Sequence, residues 1–327
     1  MPDMLAEPQF LDFVHIGGPR AGSAWLSAVL RGHPDVFVPP AKDRGFFGDR
    51  YPARPGFARI GSLEDYRRRF EGAPSNAILG DVSPFHMADP NCAARLGRHF
   101  PDLKVVAILR QPLDMLVSLY RHLRRRERRA ATFEAEIEAR PHLLDLAYYH
   151  RLLTPWFDCF PRERIFVGIY EDFFADERRS LPDLLRFLAV NDRFRSPLIG
   201  RKVGLSTGAP PSRIGRLRGD VLRLAQSPVM RPVRGALETL CAEPAPLRGV
   251  RRRFATDHLA ETIDPALRRD LMTRLTPDIR RLEGLLGRDL ARWREPAPAL
   301  AHDNVVWLDL RPRRLPAPTS SLQGTDA

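Results

Sequence analysis

The sequence predicts an α/β fold with a central parallel sheet flanked by helices. Three observations carry this reading. Short apolar runs at 12–16 (DFVHI), 104–109 (KVVAIL) and 164–170 (RIFVGIY) read as strands, the second β-branched enough to be buried on both faces. Each run is followed by a segment with apolar residues at helical spacing. Strands alternating with helices imply a parallel sheet covered on both sides, with ligands bound beyond the carboxyl ends of its strands.

The elements follow in order. After the first strand comes a glycine loop, Gly17–Gly22. From Ser23 the residues Trp25, Leu26, Val29 and Leu30 mark one helix face, which ends near Gly32-His33-Pro34. KVVAIL leads through Arg110-Gln111 to Pro112, a residue suited to a first helical turn, and Leu113, Leu116, Val117 and Tyr120 give that helix its apolar side. RIFVGIY precedes a helix over 176–190, with Pro182 as a point of restart. Residues 196–215, rich in Gly, Pro and Ser, read as a long loop. Helical segments resume and end with 275–293, and VVWLDL (305–310) reads as a small strand or a docking segment. The organisation expected is a single α/β domain over 1–295 and a Pro-rich C-terminal tail over 296–327, disordered at its end.

Bulk properties narrow the class. A chain of 327 residues can bury a large core. No apolar run approaches the roughly 18–20 residues of a membrane span. The start, MPDMLAEPQF, lacks the basic region and apolar core of a signal peptide, so the expected location is cytoplasmic. Cys92, Cys159 and Cys241 are odd in number and far apart, with neither disulfide nor metal-ligand spacing. The net charge is +12, and Lys42, Lys104 and Lys202 are the only lysines. Arginine-for-lysine usage fits a GC-rich, bacterial-type coding sequence. The positive excess suits a polyanionic ligand. No nucleic-acid-binding motif accompanies it.

The glycine loop, HIGGPRAGSAWL (15–26), is the first site candidate. Gly17 and Gly22 have the spacing of the P-loop pattern GxxxxGK[ST]. Ser23 stands in the lysine position and Ala24 where the magnesium-binding hydroxyl belongs. The backbone amides around Gly22–Trp25, at a helix N-terminus, still suit an anion. Arg20 adds a cation and Ser23 a hydroxyl. A P-loop-type three-layer fold is therefore expected, with a loop for an anion that needs no metal. The second candidate is Arg110 at a strand end, a planar fork matched to phosphate, with Ser118 on the following helix.

Together these motifs resemble the sulfotransferases that use 3′-phosphoadenosine 5′-phosphosulfate (PAPS), in particular their bacterial and carbohydrate-sulfating branch. Pro19-Arg20-Ala21-Gly22-Ser23-Ala24 is similar to the family's PKxGTT donor loop. ILRQPLDMLVSLYRH (108–122) is similar to its 3′-phosphate motif LRxPxxRxxSxY, with Met115 where that motif has arginine. HPDVFVPPAKDRGFF (33–47), GDVSPFHM (80–87), the segment 148–173 ending in YEDF, and LEGLLGRDLARW (282–293) resemble further family segments in the family's order. The resemblance implies PAPS as sulfuryl donor, no metal, and a small-molecule or carbohydrate acceptor. It implies that Arg20, Ala21, Gly22, Ser23, Ala24 and Trp25 hold the 5′-phosphosulfate, and that Arg110 and Ser118 hold the 3′-phosphate. Arg201 and Lys202 are expected to close over the donor. Asp43 takes the place of the family's catalytic Glu, beside Lys42, and Arg20 supports charge on the leaving phosphate. His86 is the rival base, whereas His33 reads as structural. Two other readings stay open: a P-loop ATPase or small-molecule kinase, and an inactive anion-binding relative.

Overall fold

A computed structural model describes residues 9–40, 46–48, 61–127, 132–204, 263–294 and 305–307. Five strands form one parallel sheet: β1 (Phe13–Gly17), β2 (Val36–Phe37), β3 (Ile78–Val82), β4 (Lys104–Leu109) and β5 (Ile165–Ile169). Their spatial order is β2-β3-β1-β4-β5. The chain leaves β1 toward one edge, returns through β3, then crosses to β4 and β5 on the other side. The strand order reverses between β1 and β4, so a crevice opens beyond their carboxyl ends.

The helices are α1 (Ser23–Arg31), α2 (Leu63–Arg67), α3 (Cys92–His99), α4 (Pro112–Glu127), α5 (Phe133–Ala139), α6 (His142–Asp145), α7 (Tyr149–Cys159), α8 (Tyr170–Ala175), α9 (Glu177–Leu188) and α10 (Pro265–Leu286). On one face of the sheet, Phe13, Val82, Val106 and Ile108 pack with Trp25, Leu26, Val29 and Leu30 of α1 and with Leu181, Leu184, Leu185 and Leu188 of α9. Alternation along the strands sends Val14, Ile16, Val105 and Ala107 to the opposite face, where they are equally buried. Both strand faces are thus apolar, as a parallel sheet between helix layers requires.

The expected strands and helices around the two anion motifs are present, including the helix start at Pro112. Helix α9 runs unbroken through Pro182 rather than restarting there. Its buried leucines flank the proline on both sides and hold the helix to the sheet. Two strands were not expected. β2 is only two residues long. β3 contains Gly80 and Asp81, which interrupt its apolar run. Gly80 pairs alongside Phe13, and a Cβ there would lie 1.9 Å from the Phe13 ring. The strand needs glycine at that point because the neighbouring ring fills the space.

Lys202–Gly204, within the stretch read as loop, forms β6 and pairs in parallel with β7 (Val305–Trp307). The chain divides into two compact units, 1–205 with 271–327, and 206–270. Of the second, only 263–270, including the start of α10, lie among the described residues.

Candidate active site

The loop after β1 turns sharply into α1. Gly22 is the residue before the helix and has φ of 83°. A side chain there would be strained by the left-handed backbone. It would also collide with Phe174, whose ring comes within 2.4 Å of an added Cβ. The first turn of α1 has no acidic residue and no side-chain cap. Its amides and the positive end of the helix therefore favour an anion at this point. Ala21 is fully buried and Trp25 is 2% exposed. The indole Nε1 of Trp25 donates to the Leu198 carbonyl at 3.1 Å, and its ring meets Phe173 and Phe174 edge-on. Trp25 thus anchors α1 with its side chain, and the loop is left to work through its backbone.

The two anion motifs lie side by side. The Gly18 amide donates to the Ile108 carbonyl at 2.5 Å, tying the glycine loop to the end of β4. The Nε of Arg20 donates to Ser118 Oγ at 3.3 Å, across 98 residues of sequence. Arg20 has φ of 59°, a left-handed backbone at the residue whose side chain reaches Ser118 within α4. Arg110, at the end of β4, lies with Cζ 4.9 Å from the centre of the Tyr170 ring. Among the described residues it pairs with no carboxylate, so its fork is open to a ligand. Met115, in the family's arginine position, is 0% exposed and belongs to the core.

Behind Arg110 is a hydrogen-bonded frame. Glu171 Oε1 accepts the Gln111 amide at 2.8 Å, and its Oε2 accepts Trp293 Nε1 at 3.1 Å. The Gln111 side chain donates to the Trp293 carbonyl at 3.0 Å and accepts the Asp114 amide at 2.7 Å. Tyr149 is fully buried, with its hydroxyl 3.6 Å from where a Cβ on Gly18 would stand. Burial, with Glu171 nearby, pushes that hydroxyl far above the usual phenol range, so it stays protonated. The YEDF and RW segments resemble family segments, but no roles attach to Tyr170, Glu171, Gln111, Tyr149 or Trp293 from sequence alone. A polar residue directly after a strand-end arginine was the available signal.

The remaining expected residues divide. Lys42 and Asp43 lie outside the described residues. Phe46, Phe47 and Gly48, just beyond them, pack on Tyr66 and His86. His86 is 4% exposed, and neither ring nitrogen has a hydrogen-bond partner among the described residues. Burial pulls its pKa down, opposed by Asp81 and Asp89 and assisted by Arg69. It is held neutral. His33 is structural, as read: its Nδ1 accepts the Asp35 amide and its Nε2 faces the Asn191 carbonyl at 2.9 Å. Arg201 is exposed, next to Gly200, whose amide donates to Glu177 Oε2 at 2.6 Å. The backbone of Lys202 opens β6. Among the described residues, no cluster of His, Cys, Asp and Glu could hold a metal, and no helix is long and apolar enough to cross a membrane.

Comparison with known proteins matches residues 57–193 to the model of the sulfotransferase family. That stretch contains β3, Arg110, Ser118, Tyr170 and Glu171, and the glycine loop precedes it. The membrane-associated sulfotransferase kil1 of Dictyostelium discoideum is 27% identical over 112 residues, 33% of this chain and 22% of that protein. The chain thus spans about a fifth of that relative's length. Among solved structures, the sulfotransferase of Alicyclobacillus acidocaldarius superposes with a TM-score of 0.63 at 24% identity, covering 87% of this chain and 99% of that one. A sulfotransferase domain from the curacin biosynthetic pathway aligns at a TM-score of 0.41 and 18% identity, over 59% of this chain and 77% of that one. The fold is the P-loop-type α/β fold of the Alicyclobacillus enzyme, and residues 57–193 are similar to the sulfotransferase family.

Proposed function

We propose that the protein is a PAPS-dependent sulfotransferase that sulfates a hydroxyl or amine of a carbohydrate, glycolipid or secondary-metabolite acceptor. The observation that carries this reading is the contact between Arg20 and Ser118. It joins the loop suited to a 5′-phosphosulfate with the helix suited to a 3′-phosphate, at the crevice where Arg110 is held. An ATP site has no use for the second anion position. It would also want the lysine and hydroxyl that Ser23 and Ala24 replace.

When bound, the donor supplies a sulfuryl group for in-line transfer, its bond to the 5′-phosphate breaking as the bond to the acceptor forms. The chain's own groups then have separate tasks. The amides of Gly22, Ser23, Ala24 and Trp25 bind the phosphosulfate oxygens, with Ala21 shaping the turn, and Arg20 supports charge building on the leaving phosphate. Arg110 and Ser118 bind the 3′-phosphate. Asp43 accepts the acceptor's proton, and Lys42 sets a compact positive charge near the sulfuryl oxygens. Arg201 and Lys202 close over the nucleotide. His86 is neutral, as a base must be, but its burial behind Gly48 favours Asp43. We assign no metal to the reaction and a cytoplasmic location to the protein.

Calorimetry without magnesium tests the donor. The expected result is binding of 3′-phosphoadenosine 5′-phosphate (PAP) in preference to ATP. Tighter binding of ATP with magnesium would overturn the reading.

A further inference from the structure

Helix α8 carries Tyr170 and Phe174 four residues apart, on one face. Their rings are 4.6 Å apart at 44°. At one end, the Arg110 guanidinium lies 4.9 Å from the Tyr170 ring centre. At the other, Phe174 occupies the space that any side chain on Gly22 would need and meets Trp25 edge-on at 5.2 Å. A chain of aromatic contacts therefore runs from the cation after β4 to the loop after β1. The backbone is gripped as well, because Glu171, next to Tyr170, accepts the amide of Gln111, next to Arg110. Tyr170 and Phe174 are both partly buried, packing against the core on one side.

An arginine on a flexible stem loses rotamer freedom when it binds phosphate. A guanidinium already stacked on a ring has less to lose. We propose that Tyr170 is a positioning residue for Arg110 and that, with Phe174, it fixes the spacing between the two anion-binding places. Helix α8 then selects nucleosides phosphorylated at both 3′ and 5′ positions over those with a 5′-phosphate alone. The nucleotide part of this inference rests on the donor reading above, and the ordering of Arg110 does not.

Two measurements on wild type, Tyr170→Phe and Tyr170→Leu test it. The first is nitrogen-15 relaxation of Arg110 Nε in the ligand-free protein, its signal identified by its loss in Arg110→Lys. The signal is expected to be rigid in wild type and Tyr170→Phe and mobile in Tyr170→Leu. The second is calorimetry with PAP and with AMP. Tyr170→Leu is expected to weaken PAP about tenfold and leave AMP unchanged, while Tyr170→Phe keeps both within about twofold of wild type. Equal Arg110 mobility in all three proteins, or equal loss of PAP and AMP, would overturn the proposal. A wild type that binds PAP no better than AMP would refute the donor reading and the selectivity, with the relaxation data deciding the ordering of Arg110. If Tyr170→Leu does not fold, Tyr170→Met, which keeps bulk without an aromatic face, carries the same comparison.

Discussion

Two polar regions lie at the carboxyl ends of neighbouring strands, and they are built on opposite principles. At the end of β3, Asp81 is 1% exposed and accepts from the Tyr66 hydroxyl and from Ser83 Oγ, each at 3.0 Å. Arg69 Nη2 stands 3.5 Å from its other oxygen, and burial raises the Tyr66 hydroxyl well above the usual phenol range. This cluster is turned inward and its groups serve one another. At the ends of β1 and β4, Arg20 reaches the Ser118 hydroxyl and Arg110 lies against the Tyr170 ring, with no carboxylate on Arg110 among the described residues. Contacts of that kind orient a cation without neutralising it. The buried charge at Asp81 has its own partners inside the fold, whereas Arg110 is oriented by a ring that leaves its charge in place.

The contrast breaks first where the inward cluster is cut. Asp81→Ala removes the carboxylate facing Arg69 and the acceptor of two hydroxyls, and is expected to cost about 3–5 kcal/mol of stability. Urea unfolding measures this, and PAP affinity of the folded fraction should stay near wild type. Loss of PAP binding without loss of stability would reverse the assignment. Arg110→Ala should do the opposite, costing roughly 1.5–3 kcal/mol of PAP binding with little change in the unfolding midpoint. Ser118→Ala removes one neutral hydroxyl and should weaken PAP by about 0.5–1.5 kcal/mol, read by the same calorimetry.

The smallest effect sharpens the comparison through pH. Burial depresses the pKa of His86 below the ordinary 6.5, so below that pH the unfolded chain binds a proton the folded chain refuses. Stability attributable to His86 is therefore complete above 6.5 and falls as the pH drops through and below it. His86→Gln should flatten the fall in melting temperature between pH 7.5 and 5.5. An unchanged slope would remove His86 from the buried neutral set.

The sequence was most legible where strand, turn and helix each carry a local signature. KVVAIL, Arg110 and Pro112 announce β4, the cation at its end and the start of α4 within nine residues, because burial, a strand-end cation and a proline act at short range. β3 was not legible as a strand, because Gly80 is dictated by the Phe13 ring on a different strand. Glu171 was equally hidden: its partners are Gln111 and Trp293, far away in sequence. Sequence reasoning therefore singled out candidate groups for a ligand. It did not find those that hold them, whose reasons lie in contacts across the fold.

The pairing of β6 with β7 has a practical consequence for anyone who trims this protein. By composition, everything after residue 295 invites removal. A truncation there would delete Val305–Trp307 and strip the strand partner from Lys202–Gly204, directly after Arg201. A shortened expression product would then differ from the longer chain at a segment remote in sequence from the cut, and the chain through residue 327 is the proper starting material for every measurement above.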